Sequence, residues 1–159
     1  MGDSRRFIET SKFIQRNYHL NLNILDVAGG SGELSKILSS LGYHTTIIDP
    51  KLTISKMDCR KYKIQTIKKL FDMSFDISEY DVIVGLHPDE ATEIIIKRCT
   101  SFKKPFVVIP CCVIPQFSNS KFNSNSWISH LKHLSSDVLE CQLPFTGKNI
   151  VLYKSTYRR

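Results

Sequence analysis

The sequence predicts an α/β fold: a mostly parallel, seven-stranded sheet with helices on both faces and an antiparallel hairpin at its end. Three observations carry this. Short apolar runs of strand length alternate with segments of helical period, the pattern of parallel strands joined by crossover helices. The first run ends in a cluster of glycines that feeds a helix. The last two runs are joined only by Pro144 to Asn149, a connection short enough to require an antiparallel pair.

The elements follow in order. Residues 4–18 predict a helix, with Phe7, Ile14 and Tyr18 on one face. Asn23 to Val27 is a strand leading into Ala28-Gly29-Gly30-Ser31-Gly32. Leu34, Ile37, Leu38 and Leu41 then mark one face of a helix that Gly42 stops. His44 to Ile48, rich in β-branched residues and closed by Asp49-Pro50, is the second strand. Residues 51–60 carry no clear period and leave room for a short helix. Lys63 to Ile67 alternates enough for a third strand. Asp81 to Leu86 is a buried strand, after which His87-Pro88-Asp89-Glu90 should open a helix. There Pro88 suits the first turn and the two acids face its positive end. Ala91, Ile94 and Ile95 give that helix its apolar face, with Lys97 and Arg98 expected at its other end. Pro105 to Ile109 is a fifth strand, residues 113–123 an irregular loop, and Trp127, Ile128, Leu131 and Leu134 a last helix. Val138 to Leu143 and Ile150 to Tyr153 form the hairpin.

At 159 residues the chain is one domain's worth, read as a helical extension over 1–20 and a core over 21–159. Such a length buries about 70% of its unfolded surface and needs no disulfide or structural metal. Only 13 residues are Gly or Pro, which excludes collagen-like and low-complexity classes. No apolar run approaches the roughly 20 residues of a membrane-spanning helix. Five cysteines, an odd number at irregular spacing, and no signal-like apolar stretch near residue 1 point to a reducing, intracellular compartment. The cytoplasm is the first choice, with the nucleus or an organelle as alternatives.

The chemistry concentrates at the ends of the strands. A strand that ends in glycines lets a ligand approach the backbone, at the sheet edge where parallel sheets bind ligands. Asp26 sits in the strand just before the turn, and Asp49 ends the next strand, where a carboxylate can accept both hydroxyls of a ribose. A dinucleotide site fits less well: Ser35 stands where a third glycine or alanine is wanted. No Lys-Ser/Thr follows the glycines, which excludes a nucleoside-triphosphate P-loop.

The run Asp26-Val27-Ala28-Gly29-Gly30-Ser31-Gly32 resembles the first motif of Rossmann-type S-adenosylmethionine-dependent methyltransferases, with Ala28 at the place of the usual first glycine. The resemblance covers about residues 22–154, terminal hairpin included. It implies that the loop of Gly30 and Gly32 faces the methionine part of the cofactor, that Asp49, beside Pro50, holds the ribose, and that an acid after the third strand, here Asp72, contacts adenine. A narrower resemblance links Leu86-His87-Pro88-Asp89-Glu90-Ala91-Thr92-Glu93 and Pro110-Cys111-Cys112 to a branch that includes tRNA ribose-methylating enzymes. Pro88 and Asp89 stand where that branch has Cys-Gly, and Val113-Ile114 where it has His-His.

Strands four and five should be neighbours, which clusters His87, Asp89, Cys111 and Cys112 beside the transferred group. Three chemistries are open there. His87 or Asp89 acts as a general base or positions a nucleophile. His87 and the cysteines bind a metal, although they are one ligand short of a usual set. Or Cys111 attacks a pyrimidine, with Asp89 as the acid. Against these stands simple packing, for Cys112 above all.

The net charge is +7, and residues 51–70 hold seven Lys or Arg against Asp58 alone. Such a run is either a solvated face or a phosphate-contacting strip. The expectation is a methyltransferase acting on RNA, or within an RNA-containing complex with a protein partner. The other class is a non-catalytic scaffold or assembly factor of the same fold.

Overall fold

The computed structural model describes residues 2–111 and 123–155. Cys112 and nearly all of the loop expected over 113–123 lie outside the described residues.

Seven strands form one sheet in the order β3-β2-β1-β4-β5-β7-β6. They are β1 (Asn23–Val27), β2 (His44–Ile48), β3 (Gln65–Ile67), β4 (Val82–Leu86), β5 (Phe106–Ile109), β6 (Leu139–Gln142) and β7 (Ile150–Lys154). The first five are parallel, and β7 runs antiparallel between β5 and β6. The chain travels outward from β1 to β3, then returns to place β4 on the other side of β1. Ligand crevices form at the carboxyl ends of the strands at such a reversal.

Alternation along the strands divides the core. Leu25, Ile83, Phe106 and Val108 face one side with Ile95, Ile96 and Leu131. These last come from α4 (Thr92–Phe102) and α5 (Ser124–Lys132). Ile24, Val82, Val84, Val107 and Ile109 face the other side with Phe13, Ile14, Leu34 and Leu38, from α1 (Arg5–Asn17) and α2 (Glu33–Leu41). The period of two puts neighbours along a strand on opposite faces, and each buried Ile, Leu or Phe contributes about 1.5–3 kcal/mol. The helix over 1–20 thus shares the sheet's core. The Tyr18 hydroxyl donates to the Lys154 carbonyl at 2.8 Å, and Tyr43 donates to the Tyr18 carbonyl at 2.8 Å.

Three local expectations change. Residues 51–60 contribute to α3 (Lys56–Tyr62), which ends at Lys63 in a left-handed conformation (φ 56°). That turn removes Lys63 and Ile64 from the third strand and shortens it to three residues. The helix expected to open at Pro88 begins later. Asp89 takes φ 48°, residues 89–91 make one 3₁₀ turn, and α4 starts at Thr92. That helix continues to Phe102, so Lys97 and Arg98 lie within it rather than at its end. Finally, α5 stops at Lys132, and Leu134 packs on the core from beyond the helix.

Candidate functional site

The turn after β1 has the backbone that glycine makes cheap. Gly30 and Gly32 take φ of 41° and 77°, and Ala28 accepts φ 60° at the position of the usual first glycine. Gly29 is required for a different reason: a Cβ there would sit 2.5 Å from Asp26 Oδ2. The Asp26 carboxylate is buried and accepts the Ser35 hydroxyl at 2.7 Å. Burial pushes its pKa up to about 7; the Ser35 hydrogen bond works against that rise and the nearby Asp49 charge adds to it.

Asp49 locks the end of β2 to this turn. Gly30 N–H donates to its Oδ2 at 2.9 Å and Lys51 N–H to its Oδ1 at 2.7 Å. Each oxygen keeps a lone pair for a further donor. The Gly30 carbonyl in turn accepts from the backbone of Thr53 and Ile54. Beside the carboxylate opens a cleft of about 400 Å³, walled by Val27, Ala28, Ile48, Pro50, Lys51, Leu70 and Phe71 and continuing to His87–Ala91. Asp72 is not among the lining residues. Its carboxylate accepts the hydroxyl and the amide of Ser74 at 2.6 and 2.8 Å, which hold its pKa below the usual carboxylate range.

The far end of the cleft is built by β4 and β5. Leu86 pairs with Ile109, and His87 N–H donates to the Ile109 carbonyl at 2.9 Å. A Cβ on Gly85 would meet Pro88 at 2.9 Å, so glycine there lets the loop fold back on its strand. His87 is left-handed as well (φ 52°), and such strain in a non-glycine residue costs of order 1–3 kcal/mol and clusters at functional sites. His87 Nε2 lies 2.8 Å from the Lys148 carbonyl. A carbonyl only accepts, so Nε2 carries the proton and Nδ1 of the neutral ring is the acceptor. The Cys111 thiol donates to Asp89 Oδ1 at 2.9 Å.

Two smaller hollows adjoin. One, of about 210 Å³, lies between Cys111, Trp127, Ile128, Lys148, Asn149 and Ile150. The other lies against Asp26, Gly29, Gly30, Leu86 and His87, with Arg6 and Phe7 of α1 in its wall. Among the described residues no cluster of three His, Cys, Asp or Glu side chains could hold a metal ion. None of their helices is long and apolar enough to cross a membrane.

The cations of the basic segment are exposed, while Ile64 among them is buried. Lys51, Lys56, Arg60, Lys61, Lys63, Lys68 and Lys69 are all open to solvent on α3 and along the β3 edge. Among the described residues none of the seven forms an ion pair, and Asp58, the single acid between them, bonds instead to Lys36 at 3.1 Å.

The structure therefore brings Asp26, Gly29, Gly30 and Asp49 together at one end, and His87, Asp89 and Cys111 at the other. Leu86 and Pro50 line the hollows beside them. Sequence reasoning missed Arg6, Phe7, Phe71 and the Lys148 carbonyl, which reach the site through packing of distant segments.

No family model and no curated protein sequence matches this chain. Solved structures do. The S-adenosylmethionine-dependent methyltransferase SibL in its apo form matches over 98% of this chain and 55% of its own, at 12% identity and a TM-score of 0.59. An O-methyltransferase family 2 protein from Planctomyces limnophilus, in complex with apigenin, matches over 95% and 57%, at 13% identity and 0.64. Precorrin-6y C5,15-methyltransferase from Geobacter metallireducens matches over 93% and 83%, at 12% and 0.59. The chain thus spans little more than half the length of the first two. Strand order, the antiparallel β7 and these neighbours together give it the Rossmann-like methyltransferase fold.

Proposed function

We propose that this chain is an S-adenosylmethionine-dependent methyltransferase that acts on RNA or within an RNA-containing complex. The observation that carries the cofactor reading is the Gly30–Asp49 hydrogen bond, whose carboxylate lines the cleft. It fixes a carboxylate with spare acceptor capacity beside apolar walls from Ile48, Leu70 and Phe71, which suits a ribose and an adenine. A Cβ on Gly30 would meet only Asp49 Oδ2, at 3.5 Å, so the turn leaves room for a ligand on its face. Asp26, Gly29, Gly30 and Gly32 would hold the methionine end, and Asp49 and Pro50 the ribose. When bound, S-adenosylmethionine supplies an electrophilic methyl group.

The chain's own residues then have positioning and proton-handling roles. The Lys148 carbonyl holds the His87 ring in the tautomer whose Nδ1 can take a proton from an acceptor hydroxyl or amine. Asp89 orients the Cys111 thiol at the rim. The RNA assignment rests on the seven exposed cations of residues 51–70, of which Lys51 lines the cleft, the footprint expected for phosphate contacts.

Calorimetric titration with S-adenosylhomocysteine tests the cofactor. The wild type should bind, and Asp49→Asn should bind at least about tenfold more weakly through loss of charge-assisted hydrogen bonds. No heat and no thermal shift in a folded sample would sink the proposal. Transfer of labelled methyl into cellular RNA rather than protein tests the substrate class; label in protein alone would overturn it.

A further inference from the structure

The hollow of about 210 Å³ between the end of β5, α5 and the final hairpin belongs to no part of the site assigned so far. Two hydrogen bonds join its wall to the cleft. Lys148 accepts from His87 through its carbonyl at 2.8 Å, and the Cys111 thiol donates to Asp89 at 2.9 Å. His87 and Asp89 line the cleft, and Lys148 and Cys111 line the hollow. Its apolar walls come from three elements: Pro110 after β5, Trp127 and Ile128 on α5, and Ile150 on β7. Asn125, exposed on the first turn of α5, adds a carboxamide that has no hydrogen-bond partner among the described residues. That group offers two donors and an acceptor. Lys148 is the one cation in the lining, and its Nζ donates to Ser124 Oγ at 2.7 Å. A second hollow, of about 310 Å³, shares Asn125, Ile128 and Ile150 with the first and runs on to Ser129, Lys132 and His133.

We propose that the smaller hollow receives one unstacked nucleobase of a single-stranded RNA, its faces against Ile128 and Ile150 and its edge on the Asn125 carboxamide. A nucleobase combines the two properties that this lining asks for. Its faces are buried against apolar side chains, and its edge both donates and accepts hydrogen bonds. Lys148 stands at the same wall to meet a backbone phosphate, and the adjoining hollow leaves room for a neighbouring nucleotide. In a duplex the faces are stacked and the edges paired, so only a base that has left its helix can enter. This rests on the RNA reading above and narrows it to strands, loops or ends that present an unpaired base. It also makes Asn125 a specificity determinant, on a helix remote in sequence from the basic strip.

Trp127 is the chain's single tryptophan and lines the hollow, so its fluorescence reports directly on an occupant. The test titrates two probes, a short RNA strand containing all four bases and the duplex of that strand with its complement, in the presence of S-adenosylhomocysteine. Anisotropy of an end label on the RNA gives the affinity, and Trp127 emission gives occupancy of the hollow. The single strand should bind and quench Trp127, and the duplex should bind to the basic strip without quenching. Asn125→Ala should weaken the single strand about two- to tenfold and leave the duplex within about twofold. Asn125→Gln, which keeps the carboxamide, should fall between, and unfolding temperatures check that both variants are folded. Equal quenching by both probes, single-strand binding with unchanged Trp127 emission, or an Asn125→Ala variant that weakens both probes alike or neither would overturn the assignment of the hollow while leaving the RNA reading intact. A wild type that binds neither probe overturns the RNA reading, and this inference with it.

Discussion

The Ser35 hydroxyl donates to the Asp26 carboxylate at 2.7 Å, and both side chains are buried between β1 and α2. Ser35 stands at the position that counted against a dinucleotide site. Here its hydroxyl is the partner that lets an acid sit inside the sheet.

That buried acid should leave a signature in pH. With its pKa pushed up to about 7, Asp26 stays protonated in the folded protein while the unfolded chain ionises near the ordinary value of 3.8. The folded state binds more protons over that window, so the Asp26 contribution falls as pH rises from about 4 to about 7, and is flat above it. The slope reaches about 1.4 kcal/mol per pH unit at most. Urea unfolding of wild type and Asp26→Asn across pH isolates it. The stability of the wild type relative to the variant should fall through that window, and a rise would contradict the buried-acid reading.

Gly29→Ala should destabilise the protein by about 1–3 kcal/mol, because the new Cβ would meet Asp26 Oδ2 at 2.5 Å. Gly147→Ala is the control: its φ is 101° but nothing lies within 4 Å of an added Cβ, so only backbone strain of about 1 kcal/mol is expected. Denaturant midpoints give the comparison, and equal costs would show that packing against Asp26 is not what Gly29 serves.

Much of this site was legible because its signals are local. A strand, glycines and a helix lie consecutively in the chain, and Asp49 closes a β-branched run, so both could be placed from pattern alone. The approach of Cys111 to Asp89 followed from neighbouring parallel strands. Other features carried no local signal. Left-handed backbone is announced by glycine, and His87 and Asp89 adopt it without one. Arg6 reaches the turn only because α1 docks on the sheet, and the Lys148 contribution is a backbone atom. The third strand is three residues long with no fully buried position, which left too little alternation to fix its bounds or the placement of Asp72.

Tyr18→Phe should cost about 1 kcal/mol. The hydroxyl ties the end of α1 to the last residue of β7, and its removal leaves the Lys154 carbonyl short of a donor. A shift in the urea midpoint at unchanged slope checks this, and an unchanged midpoint would mean water replaces the bond at no cost.

Reversing Lys61, Lys63, Lys68 and Lys69 to Glu should weaken RNA binding and flatten its salt dependence. The slope of log K against log salt should drop by about 0.7 for each single-strand phosphate that the variant no longer neutralises. Fluorescence anisotropy on a labelled RNA at several salt concentrations measures it. Unchanged affinity and slope would reduce the strip to a solvated face.

The antiparallel insertion of β7 between β5 and β6 also sets an order of assembly. A chain synthesised only as far as β5 already contains Asp26, the glycine turn, Asp49, His87 and Asp89. It lacks Lys148, whose carbonyl orients the His87 ring, and Lys154, which anchors Tyr18. The half of the site proposed to grip a nucleoside is thus encoded early, and the half proposed to handle the proton is completed only when the final hairpin closes.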